Sequence, residues 1–184
     1  MKKLFLSLIV AACSVAASAQ VYVGGQVGVW RNSDANKTTF NIVPEVGYKL
    51  SDKVDLGLGI GYNHYYKSGL KTNGFGVSPY VRYTFAQAGP VSFFLNGGFG
   101  FNTYKTKIGD VKGDAMNSWE IGIKPGVKVS LTKKIDFLAT MGFLGYRDND
   151  DTNLRDEVVS PYGEKGFGFK LSSNDLNFGL IYNF

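Results

Sequence analysis

The chain has 184 residues, enough for one domain and too few for a second of ordinary size. Glycine is abundant at 24 residues and aromatics make up 15%, whereas charged residues amount to 19%, a balance that excludes disorder and favours short strands and tight turns over helices. The formal net charge is +5, two units of which sit on Lys2 and Lys3, an excess too mild to indicate nucleic acid as a partner.

In chain order, residues 1–19 read as a cleavable signal peptide: basic Lys2 and Lys3, an apolar stretch over 4–15, and Ala17, Ser18 and Ala19 as a small-residue cleavage site. Residues 20–184 are then the mature domain. The apolar stretch falls short of the roughly 20 residues that a transmembrane helix needs, and no later stretch reaches that length. Cys13, the single cysteine, lies in this leader, so the mature chain is expected to hold no disulfide and no cysteine metal site. Val10, Ala11, Ala12 and Cys13 also fit a lipoprotein cleavage box, an alternative that leaves a lipidated amino terminus.

Three stretches, 44–50, 79–85 and 125–131, resemble one another, each opening on a proline (Pro44, Pro79, Pro125) and ending in a short turn. After the turns at 51–53, 86–90 and 132–134, a second alternating run begins at Val54, Val91 and Ile135. Adding the runs 21–31 and 174–184 gives eight candidate strands, and an even number suits a closed antiparallel barrel. The remaining connections, 32–37, 66–73, 105–116 and 147–173, are longer than the turns between them, as external loops and periplasmic turns of such barrels are.

Period-2 alternation is the strongest signal. Val54, Leu56, Leu58, Ile60 and Tyr62 alternate with Asp55, Gly57, Gly59, Gly61 and Asn63, so one face is apolar and the other is not. A strand of about 11 residues rising about 3.3 Å each and tilted about 40° climbs roughly 28 Å, close to the apolar band of a membrane. The polar face decides which side meets lipid: it is mostly Gly, Ser, Asn and Thr, whereas a soluble barrel exposes scattered charge there.

The few charges on that face nearly cancel, Glu45, Asp55, Glu120, Asp136 and Asp175 standing against Lys49, Arg82, Lys124 and Lys128. Such a set suits a lumen ion network, because an unpaired charge away from water is costly. A tight first turn places Lys49 opposite Asp55, and an ion pair is expected there. The expected fold is therefore all-β, an eight-stranded antiparallel up-and-down transmembrane β-barrel. A soluble periplasmic barrel binding an apolar ligand is the rival. Aromatics group toward strand ends, with Tyr48, Tyr83, Phe85, Phe137, Tyr182 and Phe184 near one rim and Phe40, Tyr62, Phe75, Phe101 and Trp119 near the other.

In the closing residues, Leu176, Phe178, Leu180 and Tyr182 lead to a terminal Phe184 on the same face. This resembles the carboxy-terminal signature of outer-membrane proteins, and with the leader the mature chain resembles the small OmpA/OmpX-like outer-membrane barrel family. The resemblance implies a place in the cell outer membrane, with loops extracellular and both termini periplasmic. Its implied partners are outer-membrane lipid and lipopolysaccharide, and the barrel-assembly machinery, which reads Phe178, Leu180, Tyr182 and Phe184 as an insertion signal. It implies a monomer, no cofactor and no shared catalytic motif, and no peptidoglycan-binding domain is expected after Phe184.

An enzyme reading begins with His64, the single histidine, because imidazole is the commonest general base near neutral pH. Lipid A-modifying barrels place a catalytic histidine at about that height, and nearby loops could supply Ser33, Asp34 or Ser68. The deacylase spacing of His, one residue, then Ser is not met, since Tyr66 stands there. Asp148, Asp150 and Asp151 open like a calcium loop, but Asn153 replaces the needed Gly and Val159 the bidentate Glu, so no metal site is expected. Lys67, Lys71, Lys105, Lys107 and Lys112 fall in the external loops, within reach of lipid A phosphates. The favoured function is a non-enzymatic integral barrel with a structural, surface-interaction or porin-like role, the alternatives being a lipid A-modifying enzyme using His64 and the soluble binding barrel.

Overall fold

The computed structural model describes residues 21–34, 36–150, 152–154, 157–159, 165–171 and 176–184. The proposed leader, Cys13 and Asp175 lie outside the described residues. The strands are β1 (Val21–Asn32), β2 (Lys37–Lys49), β3 (Val54–Lys67), β4 (Leu70–Ala88), β5 (Val91–Ile108) and β6 (Val111–Ser130), then β7 (Ile135–Thr140) and β8 (Phe143–Asn149). A small hairpin of β9 (Thr152–Leu154) and β10 (Glu157–Val159) follows, and β11 (Gly166–Lys170) and β12 (Asn177–Asn183) end the chain.

Each of β1 to β6 pairs antiparallel with the next, β6 pairs β7, β7 pairs β12, and β12 returns to β1. This closes an eight-stranded barrel, because β7 with β8 forms the seventh span and β11 with β12 the eighth. Where the ring is closed, at the level of β7 and β12, each strand has a partner on both sides and its ladder groups are satisfied without water, the condition hydrocarbon imposes on a spanning sheet. The interruption falls at Met141 and Gly142, where Gly142 adopts φ 79°, a left-handed value that a side chain resists. Strand seven passes the break in two residues, from Thr140 to Phe143, and strand eight in six, from Lys170 to Asn177. Above the break β11 pairs with β8 alone among the described residues, so it forms a free edge of the sheet.

The faces sort as the alternation requires. Leu56, Leu58, Ile60, Phe75, Val77, Val81, Phe101, Ile121, Phe178 and Leu180 are large apolar groups exposed on the outside. Ring contacts mark both edges of this belt. Near the rim that holds the termini, Phe137 stacks on Phe178 at 5.8 Å and Tyr182 meets Phe184 edge-on at 5.2 Å. Near the distal rim, Tyr62 meets Phe75 at 5.0 Å and Trp119 meets Tyr146 at 5.4 Å. The rival barrel with a greasy interior is thereby ruled out, since its apolar groups would gather inside.

The loop expectations need correction. Residues 66–73 and 105–116 are mostly strand: β3 runs to Lys67 and β4 starts at Leu70, while β5 runs to Ile108 and β6 starts at Val111. Two-residue turns join them, with Ser68 at φ 46°, Gly69 at φ 94° and Gly109 at φ 57°. Polar composition had marked these segments as loops, but hairpins standing beyond the membrane are wet on at least one face and need no apolar alternation. Strand β4 likewise runs to Ala88, so the turn expected over 86–90 shrinks to Gly89 and Pro90.

Leu58, paired with Val46 and Pro79 at mid-height, is expected to face the bilayer centre. Leu58→Arg should then cost about 2–4 kcal/mol, measured by denaturant titration of folding into lipid vesicles, whereas a cost near zero contradicts the lipid-facing assignment.

Candidate functional site: a charged lumen with a cavity

At one level the lumen is occupied by Arg82. Its side chain is 0% exposed, and register places it beside Asp55 on β3 and Asn96 on β5. Its Nη2 donates to the Glu45 carboxylate at 3.4 Å, and its Nε donates to Asn96 Oδ1 at 2.9 Å. The Tyr80 hydroxyl donates to Glu45 Oε2 at 2.9 Å and lies 3.0 Å from the Tyr22 hydroxyl. Three rings box the guanidinium, Phe94 at 4.8 Å, Tyr80 at 5.1 Å and Tyr22 at 5.8 Å from its carbon. A weakly hydrated planar cation tolerates such a box far better than an ammonium does. Gly57 is required here: the Tyr80 ring lies flat on its backbone, where a Cβ would collide.

Beside this plug sits a small apolar cluster of Tyr22, Phe94, Leu138 and Ile181, all buried in the lumen. The sequence reading missed its three aliphatic and phenyl members, because each stands in a run such as Phe93, Phe94, Leu95 in which the alternation is masked by apolar neighbours on both faces.

Toward the distal rim the lumen opens into a cavity of about 200 Å³, lined by Gln26, Asn41, Asn63, Ser78, Asn96, Asn102, Thr140 and Asn177, with Glu45, Glu120 and Lys124 supplying charge. Such a polar space has room for several waters. Glu120 is its most heavily engaged group. It accepts from Lys124 Nζ at 2.6 Å and from Arg147 Nη2 at 2.7 Å. Arg147 was assigned to a loop from the sequence, yet it sits in β8 directly opposite Glu120 on β6. Asn41 Nδ2 donates to Asn177 Oδ1 at 2.7 Å across the intervening β1, and only glycine at position 28 leaves space for that bridge.

The other expected lumen groups divide. Asp136 is buried and held by neutral donors, Ser130 Oγ at 2.7 Å and Asn183 Nδ2 at 3.0 Å. Lys49 does stand opposite Asp55 in the register, but no described ion pair joins them, a correction to the expected contact. The buried Asp55 carboxylate feels Lys128, Arg82 and Lys49 together, and Lys49 stays half-exposed at the terminal rim, where its ammonium remains hydrated. Lys128, half-buried, forms no described ion pair either. Phe178, Leu180, Tyr182 and Phe184, the residues expected to form an insertion signal, all lie exposed on the outer face, and the Phe184 N–H donates to Val21 O at 3.2 Å, so the last residues are zipped to the first strand.

His64 lies outside the lumen, opposite Phe40 and Asn73 in the distal aromatic zone. Its Nδ1 is 2.7 Å from Asn73 Oδ1, which also accepts from the Tyr62 hydroxyl at 3.0 Å. Neither Ser33, Asp34 nor Ser68 is among its described partners. Asp148 is paired with Lys165 at 2.6 Å, and Asp150 accepts from the Asn117 N–H at 3.0 Å, so these carboxylates serve the sheet.

The sequence signature of the outer membrane protein beta-barrel domain matches residues 4–184. The chain belongs to that family. Among solved structures of the same fold, the N-terminal β-barrel domain of Pseudomonas aeruginosa OprF shares 17% identity at a TM-score of 0.54, covering 90% of this chain and 98% of that one. Neisserial surface protein A, NspA, shares 18% identity at 0.51, covering 89% and 96%. At these identities the likeness is one of fold. No curated protein sequence matches this family member.

Removing the Arg82 head leaves the buried Glu45 carboxylate without its counter-charge, with the Tyr80 hydroxyl still donating to it. Arg82→Ala is expected to lower stability by about 3–5 kcal/mol in vesicle-based denaturant titrations, and a loss below about 1 kcal/mol would mean that the guanidinium is hydrated rather than enclosed.

Proposed function

We propose that the protein is a non-conducting, non-enzymatic anchor of the outer membrane that presents its distal hairpins at the cell surface, with both termini on the periplasmic side. The observation that carries this reading is the Arg82 plug. Its side chain is enclosed with three rings around it, which supports a lumen filled at that level, and eight strands leave an interior about wide enough for side chains. A porin-like role is correspondingly disfavoured. Support for the surface role comes from the hairpins β4 to β6, which carry 18 to 20 residues per strand where about 11 suffice to span the bilayer. The name of the structural neighbour NspA, a surface protein, points the same way.

The orientation follows from the leader and from the position of the terminal aromatic signal, which in this reading meets the assembly machinery from the periplasm. The partners are outer-membrane lipid and lipopolysaccharide around the belt, and the barrel acts as a monomer.

Two measurements test this. Planar-bilayer recordings of the refolded barrel should stay silent at high salt, and steady single-channel steps would overturn the closed-lumen reading. His64→Ala should leave the acyl composition of lipid A unchanged in cells producing the protein; a changed profile would reinstate the enzyme alternative.

A further inference from the structure

The distal part of the β4–β5–β6 sheet carries an arrangement that its own residues do not explain. Register sets Lys71 of β4 directly opposite Lys107 of β5, and Lys107 directly opposite Lys112 of β6. Lys105 lies two positions below Lys107 on the same face. All four are exposed, and they share the outward face with Phe75, Phe101 and Trp119, because the inward alternates Thr72, Tyr104, Thr106 and Met116 are buried. Lys67 is not part of this row, since it pairs with Lys37 and Leu70. Like charges placed side by side across strands repel and weaken a sheet. Among the described residues one carboxylate is paired with the row, Asp110, 4.0 Å from Lys107 and itself fully exposed, while Asp114 sits in the irregular stretch of β6 beside Lys112.

Position defines what neutralises the row. Lys71 stands four residues beyond Phe75 and Lys105 four beyond Phe101, which at about 3.3 Å per residue and a tilt near 40° is roughly 10 Å above the aromatic edge of the lipid belt. That is headgroup height, directly over exposed apolar side chains such as Val77, Phe101 and Ile121 along which acyl chains lie. Strands about 4.8 Å apart spread three ammonium groups over roughly 10 Å, a span suited to more than one phosphate on a single headgroup.

Resting on the outer-membrane reading above, we propose that this lysine row is a docking surface for a phosphorylated saccharolipid of the outer leaflet, a lipid A-type molecule whose phosphates bridge Lys71, Lys107 and Lys112 while its chains cover the belt below. The lipid replaces repulsion between strands by charge-assisted contacts, so the distal hairpins are at their most ordered only when it is bound.

The test uses the refolded mature chain in neutral detergent micelles, with diphosphorylated lipid A added and the amount retained after affinity purification measured. Wild-type protein should retain at least tenfold more than the triple variant Lys71→Gln, Lys107→Gln, Lys112→Gln, and raised salt should release it. A control triple at the opposite rim, Lys53→Gln, Lys133→Gln, Lys134→Gln, should retain as much as wild type. Dephosphorylated lipid A should be held no better than by the variant. Equal retention by wild type and the lysine-row variant overturns the proposal, as does displacement by equimolar inorganic phosphate, which would reveal a simple phosphate site. Equal retention of phosphatidylglycerol overturns it too, as that marks a general anionic surface. Heat-modifiable migration, scored in parallel, separates the two levels: a folded wild-type barrel without retained lipid sinks the docking surface alone, whereas a wild-type chain that never folds in micelles or vesicles counts against the barrel reading itself.

Discussion

A peptide group in hydrocarbon has no water to turn to, and this single constraint organises the molecule. Every N–H and C=O within the lipid belt must find a partner in the next strand, and the only sheet without unpartnered edges is one that returns to its start. Here the return is made by β12, bonded to β1 on one side and β7 on the other. Once the ring is closed, the period of two in the side chains assigns one set to lipid and the other to the inside, and the choice of Leu, Ile, Val and Phe against Gly, Ser, Asn and Thr follows.

The interior then poses its own problem, because it is narrow and mostly shut away from solvent. Two groups of charges enter with their complements, Arg82 with Glu45 and Glu120 with Lys124 and Arg147, while Asp136 is held by the neutral donors Ser130 and Asn183. Size is handled by pairing bulky rings with bare backbone, as where Tyr80 lies on Gly57 and Tyr22 on Gly47. The result is a lower lumen filled by side chains and an upper lumen with a polar cavity, two different fillings of one cylinder. The filling is therefore local: one cation, three rings and one carboxylate gather at one level of a tube in which glycine elsewhere leaves space.

How much of this could be read from the residues varied with the environment. In β3 both faces of the strand lie in uniform surroundings, lipid on one and lumen on the other, so Leu56 and Leu58 against Gly57 and Gly59 spelled out fold, register and orientation. The charged lumen set was legible for the same reason, since a Glu, Asp, Lys or Arg between apolar neighbours has few places to go. Phe94, Leu138 and Ile181 were not, because apolar groups inside a lumen look the same as apolar groups outside it. The strands around Lys71, Lys105 and Lys112 were not legible as strand because, beyond the bilayer, water replaces lipid and the apolar half of the pattern disappears, whereas Arg147, opposite Glu120 in the lumen, was hidden by the polar run 147–153 that it opens. The missing contact between Lys49 and Asp55 has a different origin: opposition in a ladder sets where two backbones meet, while a long flexible ammonium near a wet rim is free to point elsewhere.

The break at Met141 and Gly142 divides the cylinder into two storeys with different mechanical character. Below it the wall is a continuous hoop, and no strand can leave without tearing two ladders. Above it β8 and β11 are joined to the rest through β6 alone among the described residues, like the last slats of an open fence. A pull or push on the outer hairpins is thus absorbed by bending that fence, and the hoop beneath is left undisturbed.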